Sequence, residues 1–191
     1  PPPCAERTCH GGVQKGGYAQ RVKAAAERAA AKGLALRVCF QDEARIGRMN
    51  DPKACWVPRG VRPAVGAQLV REFLYVFGAI SPVDGCHDSL VLPAANTLCM
   101  NHFLAELRSR HPSDYILVVL DGAGWHKSKE LVIPESMELG PLPPYCPDLN
   151  PEEQVWDELR EKAFGNRVFD SLEAVADAGA DGLRRIESNP E

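Results

Sequence analysis

Two largely apolar runs of strand length, Leu34–Gln41 and Tyr115–Leu120, are each followed directly by an aspartate. The second run is too short for a buried helix to be preferred, so it predicts a central strand of a sheet. Ligands of such sheets gather where the strands end. If the two strands are neighbours, Asp42 and Asp121 therefore lie together at one edge of the sheet.

The next part of the chain predicts a hairpin and then a helix. Glu72–Ile80 and Ser89–Leu92 are strand-like, and the turn residues Pro82–Gly85 separate them. A helix is predicted to begin near Asn96 and to stop before Pro112. Its apolar face comprises Met100, Phe103, Leu104 and Leu107.

Further elements flank this region on both sides. An Ala-rich helix over Gln20–Lys32 comes before the first strand. A short strand near Met137–Leu142 is followed by a helix from Asn150, and a final helix starts at about Asp170, where Asp170 and Glu173 would form a capping box. This order predicts an α/β protein with a mixed sheet covered by helices. The pattern alone does not separate the possible α/β arrangements.

Length and composition limit the class of protein. A chain of 191 residues with 45% hydrophobic residues suits one domain with a substantial core. No apolar stretch approaches the roughly 20 residues that cross a bilayer. We therefore expect no membrane partner. The seven cysteines include no CxxC pair, so we also expect a cytoplasmic protein with reduced thiols. Cys4, Cys9 and His10 match no standard zinc spacing.

A third acid comes from the helix that starts near Asn150. Asn150 and Pro151 would place Glu153 at the third helical position, where glutamates often bond back to the cap. The apolar stripe of this helix places Glu152 nearer to its centre than Glu153. Periodicity therefore does not choose between the two glutamates.

Three carboxylates would suit metal-dependent cleavage of a phosphodiester. One Mg²⁺ activates the attacking oxygen and another stabilises the leaving oxygen, with the ions about 3.5–4 Å apart. Mg²⁺ prefers hard oxygen ligands and is usually held by one or two carboxylates together with substrate phosphate. Each acid also has a plainer interpretation, since an aspartate after a strand is a common turn residue.

Three stretches carry a family resemblance: Phe40–Arg45, Leu120–His126 and Leu142–Trp156. Together they resemble the catalytic domain of the IS630 and Tc1/mariner transposases, over most of the chain from about Leu34. The resemblance implies a ribonuclease-H-like fold, a mixed sheet flanked by helices. It also assigns Glu153, because the acid of the family stands three residues before the tryptophan in an Asn-Pro-x-Glu-x-x-Trp pattern.

This resemblance implies a DDE transposase domain, which is a metal-dependent polynucleotidyl transferase. Asp42, Asp121 and Glu153 would hold two Mg²⁺ ions, for which Mn²⁺ would substitute. Metal-activated water would nick DNA at the transposon ends, and the freed 3′-hydroxyl would attack target DNA at a TA step. The expected partners are DNA and, in the DNA complex, a second copy of the chain.

Basic residues between Arg45 and Arg71 are expected to contact DNA, although the net charge of the chain is −4. The only acid in this region is Asp51. The residues that we predict to contact DNA are Arg45, Arg48, Arg59 and, near the metals, His126. The plainer interpretation of the arginines is a solvated loop surface.

We divide the chain into residues 1–33, a poorly ordered segment with the Ala-rich helix, and residues 34–191, the DDE catalytic domain. Relatives carry helix-turn-helix modules before this domain, so the resemblance implies a separate helix-turn-helix subunit or a truncated copy. Two alternatives stay open. One is an inactive remnant that only binds DNA or a partner, and the other is a stand-alone ribonuclease-H-like nuclease that joins nothing.

Overall fold

A five-stranded mixed sheet forms the centre of the described part of the chain. The structure is a computed structural model and describes residues 15–50, 52–122, 128–142 and 150–188. The strands are β1 (Ala35–Met49), β2 (Leu69–Ser81), β3 (Cys86–Leu92), β4 (Asp114–Leu120) and β5 (Met137–Pro141). Their order in the sheet is β3-β2-β1-β4-β5. The pairs β1–β2 and β2–β3 are antiparallel, whereas β1–β4 and β4–β5 are parallel.

β1 continues well beyond the predicted strand end at Gln41. Its parallel pairing with β4 stops at Phe40, but its antiparallel pairing with β2 continues past Asp42 to Gly47 and beyond. Because β2 supplies hydrogen-bond partners for the backbone along this length, β1 remains a strand beyond Asp42. The prediction that Asp42 ends a strand is therefore wrong, and Asp42 lies inside β1, just beyond the pairing with β4.

Helices cover both faces of the sheet. They are α1 (Lys15–Ala31), α2 (Thr97–Arg110), α3 (Glu152–Leu159) and α4 (Leu172–Glu187), and a π-helical turn, Arg160–Phe164, continues α3. The side chain of Asn96 accepts a hydrogen bond from the backbone N–H of Cys99, which caps α2 where its start is predicted. None of the helices in the described ranges has both the length and the apolar character needed to cross a membrane.

The two faces of the sheet bury separate hydrophobic cores. On one face, α2 packs Phe103 against Phe77. On the other face, α1 packs Ala25 against Leu117, while α3 and α4 bury Trp156 with residues of β1 and β2. The Ala-rich helix therefore packs on the same sheet as the rest of the fold. A domain boundary at residue 33 stays a prediction, and residues 1–14 lie outside the described residues.

The start of α4 differs from the prediction by one residue. Ser171, rather than Asp170, occupies the cap position, and its hydroxyl accepts a hydrogen bond from the backbone N–H of Ala174. The predicted capping box of Asp170 and Glu173 is therefore wrong. Aspartate and serine are almost equally good caps, so sequence preference alone does not choose between two adjacent starting points.

Candidate active site

Asp42 lies on the face of the sheet that α3 covers. Strand alternation places it on the same face as Ala44 and Ile46, which belong to the core beneath α3 and α4. Its Oδ2 accepts a hydrogen bond of 3.0 Å from Nε1 of Trp156, a side chain that is only 1% exposed. This bond fixes one oxygen of Asp42 and ties α3 to β1.

Asp121 directly follows the end of β4. β4 runs parallel to β1, and the last pair in their ladder is Phe40 with Val119. Each strand reaches its aspartate two residues after that pair, so the same register carries Asp121 alongside Asp42. Val119 and Phe40 share one core on the α1 side, and alternation from them puts both aspartates on that same face. The condition under which the two aspartates lie together, namely that their strands are neighbours, is therefore met.

The two adjacent glutamates at the start of α3 point in different directions. Glu153 is exposed, whereas Glu152 is fully buried at 0% exposure. Glu153 stands three residues before Trp156, so the two side chains lie on neighbouring positions of the helix surface. Because Trp156 bonds to Asp42, this geometry brings Glu153 towards Asp42 and turns Glu152 into the core.

Asn150 fixes the start of α3 against β1. Its Nδ2 donates a hydrogen bond of 3.2 Å to the carbonyl oxygen of Gln41, the residue before Asp42. Its Oδ1 accepts a hydrogen bond of 3.2 Å from the backbone N–H of Glu152. Asn150 and Trp156 therefore hold α3 to two adjacent residues of β1, Gln41 and Asp42.

Glu152 pairs with a histidine inside the core. Its Oε1 lies 2.7 Å from Nε2 of His87, and the two side chains are 0% and 1% exposed. Gly78, the partner of Asp42 in β2, makes room for this arrangement. A Cβ at Gly78 would collide with Oε1 of Glu152 and would lie 2.6 Å from Cη2 of Trp156. The glycine thus lets α3 approach the sheet closely beside Asp42.

The surroundings of Asp42 favour its neutral form. Burial is the largest cause, and the charges of Glu43 and Glu153 add to it, so the pKa of Asp42 is raised from 3.8 to about 6. Hydrogen bonds from the backbone N–H of Glu43 and from Trp156 act in the opposite direction. A cation placed beside the carboxylates would favour the charged form and so reverse this balance.

The predicted DNA-contacting arginines do not share a single loop, so the interpretation of the whole basic region as a loop is wrong. Arg45 and Arg48 lie on β1, and Arg59 is exposed in the segment 52–68. Arg45 is exposed and stacks 4.4 Å from a phenylalanine ring of β2. Arg48 instead bonds to Glu72 at 2.7 Å and to the carbonyl oxygen of Phe169 at 2.9 Å. Arg45 and Arg59 are therefore accessible, whereas Arg48 is engaged within the protein.

Two stretches that carry part of the predicted site, 123–127 and 143–149, lie outside the described residues. The first contains His126, so its contact with DNA stays a prediction. The metal-binding roles of Asp42, Asp121 and Glu153 also stay predictions.

Sequence reasoning missed three contributors to the site. Nothing in the sequence pattern indicates that the large side chain of Trp156 donates a hydrogen bond to Asp42. His87 is a lone histidine in a strand, and nothing near it in the sequence indicates a glutamate partner. Gly78 does carry a signal, since a glycine inside a strand commonly marks the close approach of another element.

The fold belongs to the ribonuclease-H-like class of α/β folds. Its marks are the strand order, the helices on both faces and the acids beside the end of the β1–β4 ladder. A family profile described as "DDE superfamily endonuclease" matches residues 37–176, and the chain belongs to this family. The matched range includes Asp42, Asp121 and Glu153. The fold class and the DDE family that the sequence predicts are both confirmed.

Several solved structures of the Mos1 transposase share this fold. The paired-end complex with the left transposon end matches with a TM-score of 0.54 and 18% identity, over 90% of this chain and 58% of that one. A pre-cleavage transpososome matches with a TM-score of 0.55 and 17% identity, over 88% and 58%. The paired-end complex with Mn matches with a TM-score of 0.55 and 18% identity, over 88% and 59%. At such identities the likeness concerns the fold, and this chain spans less than two thirds of the Mos1 chain.

A curated relative is an uncharacterised protein, y4pE/y4sA, of Sinorhizobium fredii (strain NBRC 101917 / NGR234). It is 39% identical over 102 residues, which cover 53% of this chain and 76% of the relative. This similarity in sequence is much higher than that to Mos1, but the name of the relative describes no activity.

Proposed function

We propose that this chain is the catalytic domain of a DDE transposase, which cuts DNA and joins the cut end to target DNA. The observation that carries the proposal is the hydrogen bond between Trp156 and Asp42, which holds α3 against β1. With α3 in this position, Glu153 lies on the side of the sheet where Asp121 follows β4. Membership of an endonuclease family supports the same chemistry.

The donor set of the site fits two Mg²⁺ ions, with Mn²⁺ as a substitute. Asp42, Asp121 and Glu153 supply hard carboxylate oxygens, the donor type that Mg²⁺ prefers. Burial and the charges of Glu43 and Glu153 raise the pKa of Asp42, as expected for an acid that needs a compensating cation to ionise fully. The chemistry supplied by the bound ions would be activation of the attacking oxygen and stabilisation of the leaving oxygen.

The contribution of the chain itself is to hold the carboxylates in position. Trp156 fixes Oδ2 of Asp42, and the strand pairing fixes the backbone on which that carboxylate stands. Asp121 and Glu153 are exposed, so a DNA strand can reach them without an opening of the core. Fixed, preorganised groups of this kind lower the barrier to phosphoryl transfer because they do not need to reorganise during the reaction.

Arg45 and Arg59 are the arginines that we propose to contact the DNA backbone. Both are exposed. Arg45 lies three residues after Asp42 on β1, so strand alternation directs its side chain to the opposite face of the sheet, and its contact with DNA would lie away from the three acids. We also propose a contact from His126, which rests on the family motif. Arg48 would have to release Glu72 before it reached a phosphate, so its predicted contact requires a rearrangement of that ion pair.

The narrower features of the function are part of the same proposal. They are membership of the IS630 type, a TA target step, a homodimer in the DNA complex and a separate helix-turn-helix subunit. The Mos1 structures are described as complexes with transposon ends or as a transpososome, which supports DNA as the partner of this chain. We also propose a cytoplasmic location, which the seven cysteines without a CxxC pair support.

Asp121→Asn tests the proposal, with Asp170→Asn as the matched control. Both aspartates are exposed, but Asp170 lies just before α4 and outside the candidate site. The parent and the control should nick DNA that carries a transposon end when Mg²⁺ or Mn²⁺ is added, and should yield joined products. Asp121→Asn should do neither, while its circular dichroism spectrum stays unchanged. Strand transfer by Asp121→Asn would refute the assignment.

The same assay separates the alternative functions. A stand-alone nuclease would nick DNA without joined products in any variant. An inactive remnant would show no metal-dependent nicking in the parent, although it would still bind DNA or a protein partner.

A further inference from the structure

A second group of potential metal ligands lies on the opposite face of the sheet from Asp42. Cys86 and Asp88 are alternate residues of β3, and His111 follows the last residue of α2. Oδ2 of Asp88 lies 2.6 Å from Nε2 of His111 and 3.9 Å from Sγ of Cys86. One ligand atom from each residue lies within 4.8 Å of the other two.

We propose that Cys86, Asp88 and His111 form a zinc site that clamps the β2–β3 hairpin to the end of α2. Thiolate, imidazole and carboxylate are the three ligand types that zinc commonly uses in proteins. A fourth position would remain for water. No predicted role of the chain in DNA cleavage involves these residues.

The spacing of the donors is close to that of a tetrahedral zinc site. With Zn–S near 2.3 Å and Zn–N and Zn–O near 2.0 Å, neighbouring ligand atoms are about 3.3–3.5 Å apart. The Asp88–His111 contact would have to open by about 0.7 Å and the Asp88–Cys86 contact would have to close by about 0.4 Å. The ligand atoms of Cys86 and His111, which lie within 4.8 Å of each other, would have to approach by up to about 1.3 Å. Changes of this size need only small rotations of side chains.

The backbone around the cluster is suited to a rigid site. Asp88 is 7% exposed and stands in a paired strand opposite Ala79. The carbonyl oxygen of His111 accepts hydrogen bonds from the Arg108 guanidinium and from the backbone N–H of Asp114. Two of the ligands thus come from a sheet strand, and the third comes from a hydrogen-bonded helix end.

The residues behind the ligands also fit a metal site. Oδ2 of Asp114 lies 3.9 Å from Nδ1 of His111, the nitrogen that would face away from the ion. A carboxylate that accepts a hydrogen bond from this nitrogen commonly orients a zinc-bound histidine, and Asp114 would have to approach by about 1 Å to accept one. Arg37 bonds to Asp114 at 2.6 Å and Arg110 bonds to Asp88 at 3.3 Å, so the acids are balanced by nearby positive charge.

A plain ion-pair network is the competing interpretation. Asp88 bonds to His111 and Arg110 without any metal, and Cys86 would then be a weak hydrogen-bond donor to Asp88. The two interpretations differ in the thiol, because a network of Asp88, His111 and Arg110 does not require a cysteine. The experiment should therefore detect a metal–thiolate bond directly.

Titration of the metal-free full chain with Co²⁺, in excess Mg²⁺, provides this measurement. Cobalt in a thiolate site gives a thiolate-to-metal charge-transfer band, which a carboxylate-only site does not give. We expect one equivalent of this band in the parent and in the control Cys55→Ser, whose cysteine is exposed on the segment 52–68. The band should be lost in Cys86→Ser and in His111→Gln.

Thermal unfolding provides a second measurement on the same proteins. Zinc at about a hundredfold its Kd should raise the melting temperature of the parent and of Cys55→Ser by about 5–10 °C. It should leave Cys86→Ser and His111→Gln unchanged, and zinc should be displaceable from the parent by a chelator. Absence of the band in the parent, or its persistence in either variant, would overturn the proposal. A failure of DNA cleavage would not affect it, because neither measurement depends on catalysis.

Discussion

The adjacent residues Glu152 and Glu153 should respond to the same substitution in opposite ways. Glu152→Ala should lower the free energy of unfolding by about 2–5 kcal/mol, because it empties a fully buried site and removes the hydrogen-bond partner of a buried histidine. Glu153→Ala should change the free energy of unfolding by no more than about 0.5 kcal/mol, as expected for an exposed side chain. Glu153→Ala should nevertheless abolish metal-dependent nicking of DNA.

The magnitude for Glu152 follows from its surroundings. Its carboxylate lies 2.7 Å from Nε2 of His87, and neither side chain is more than 1% exposed. Within the described residues, Nδ1 of His87 has no hydrogen-bond partner, so removal of Glu152 takes away the hydrogen bond of the other ring nitrogen as well. Burial raises the pKa of Glu152, and the bond to His87 opposes that rise. Glu152→Gln keeps the volume and an acceptor, so it should cost less, about 1–3 kcal/mol.

Urea denaturation followed by circular dichroism measures the stability of the four proteins. A nicking assay at a temperature where all remain folded measures their activity. Domains of this kind are typically stable by about 5–15 kcal/mol, so the loss expected for Glu152→Ala is easily resolved. The reasoning would be refuted if Glu152→Ala matched the parent in stability, or if Glu153→Ala unfolded while Glu152→Ala stayed folded and inactive.

Two further predictions concern Asp42 and the arginines. Because the folded-state pKa of Asp42 is raised from 3.8 to about 6, its favourable contribution is complete below pH 4 and is lost as the pH rises through about 6. Each pKa unit corresponds to about 1.4 kcal/mol. With a chelator present, the free energy of unfolding of Asp42→Asn should therefore exceed that of the parent by up to about 3 kcal/mol at pH 8 and should match it near pH 4. A difference that is independent of pH would contradict this assignment. Arg59→Ala should weaken DNA binding and reduce its salt dependence without a change in stability, whereas Arg48→Ala should lower the melting temperature because Arg48 bonds to Glu72 and to a backbone carbonyl. Fluorescence anisotropy with labelled DNA and thermal unfolding measure the two effects, and equal loss of DNA binding in both variants without destabilisation would argue against the separation of their roles.

Local patterns predict most elements of this fold because helices and strands impose short periods on the sequence. The apolar run Tyr115–Leu120 lies within β4, and the predicted helix start near Asn96 is the observed cap of α2. Such features depend on residues a few positions apart, so the sequence alone shows them. The family motif adds Asp42, Asp121 and Glu153 as candidate ligands.

The extent of β1 and the start of α4 show where local patterns stop being sufficient. β1 continues past Asp42 because β2 lies beside it, and no neighbour in sequence reports that pairing. Ser171 caps α4 although Asp170 is an equally suitable residue one position earlier. In both cases a contact with another part of the fold, or the precise path of the backbone, decides between local alternatives of nearly equal energy.

The sequence by itself determined the order of the elements, the α/β class and the acids that the family motif marks. The apolar stripe places Glu152 nearer to the core than Glu153, but only the tertiary structure decided that Glu152 is fully buried, that His87 is its partner and that Gly78 makes room for its side chain. Glu152 and His87 are 65 residues apart, and their contact exists only because β3 and α3 meet on one face of the sheet. Successive residues of a helix differ in direction by about 100°, so periodicity ranks two adjacent side chains by their distance from the centre of the apolar stripe. The partner of a buried side chain lies elsewhere in the chain, so only packing shows it.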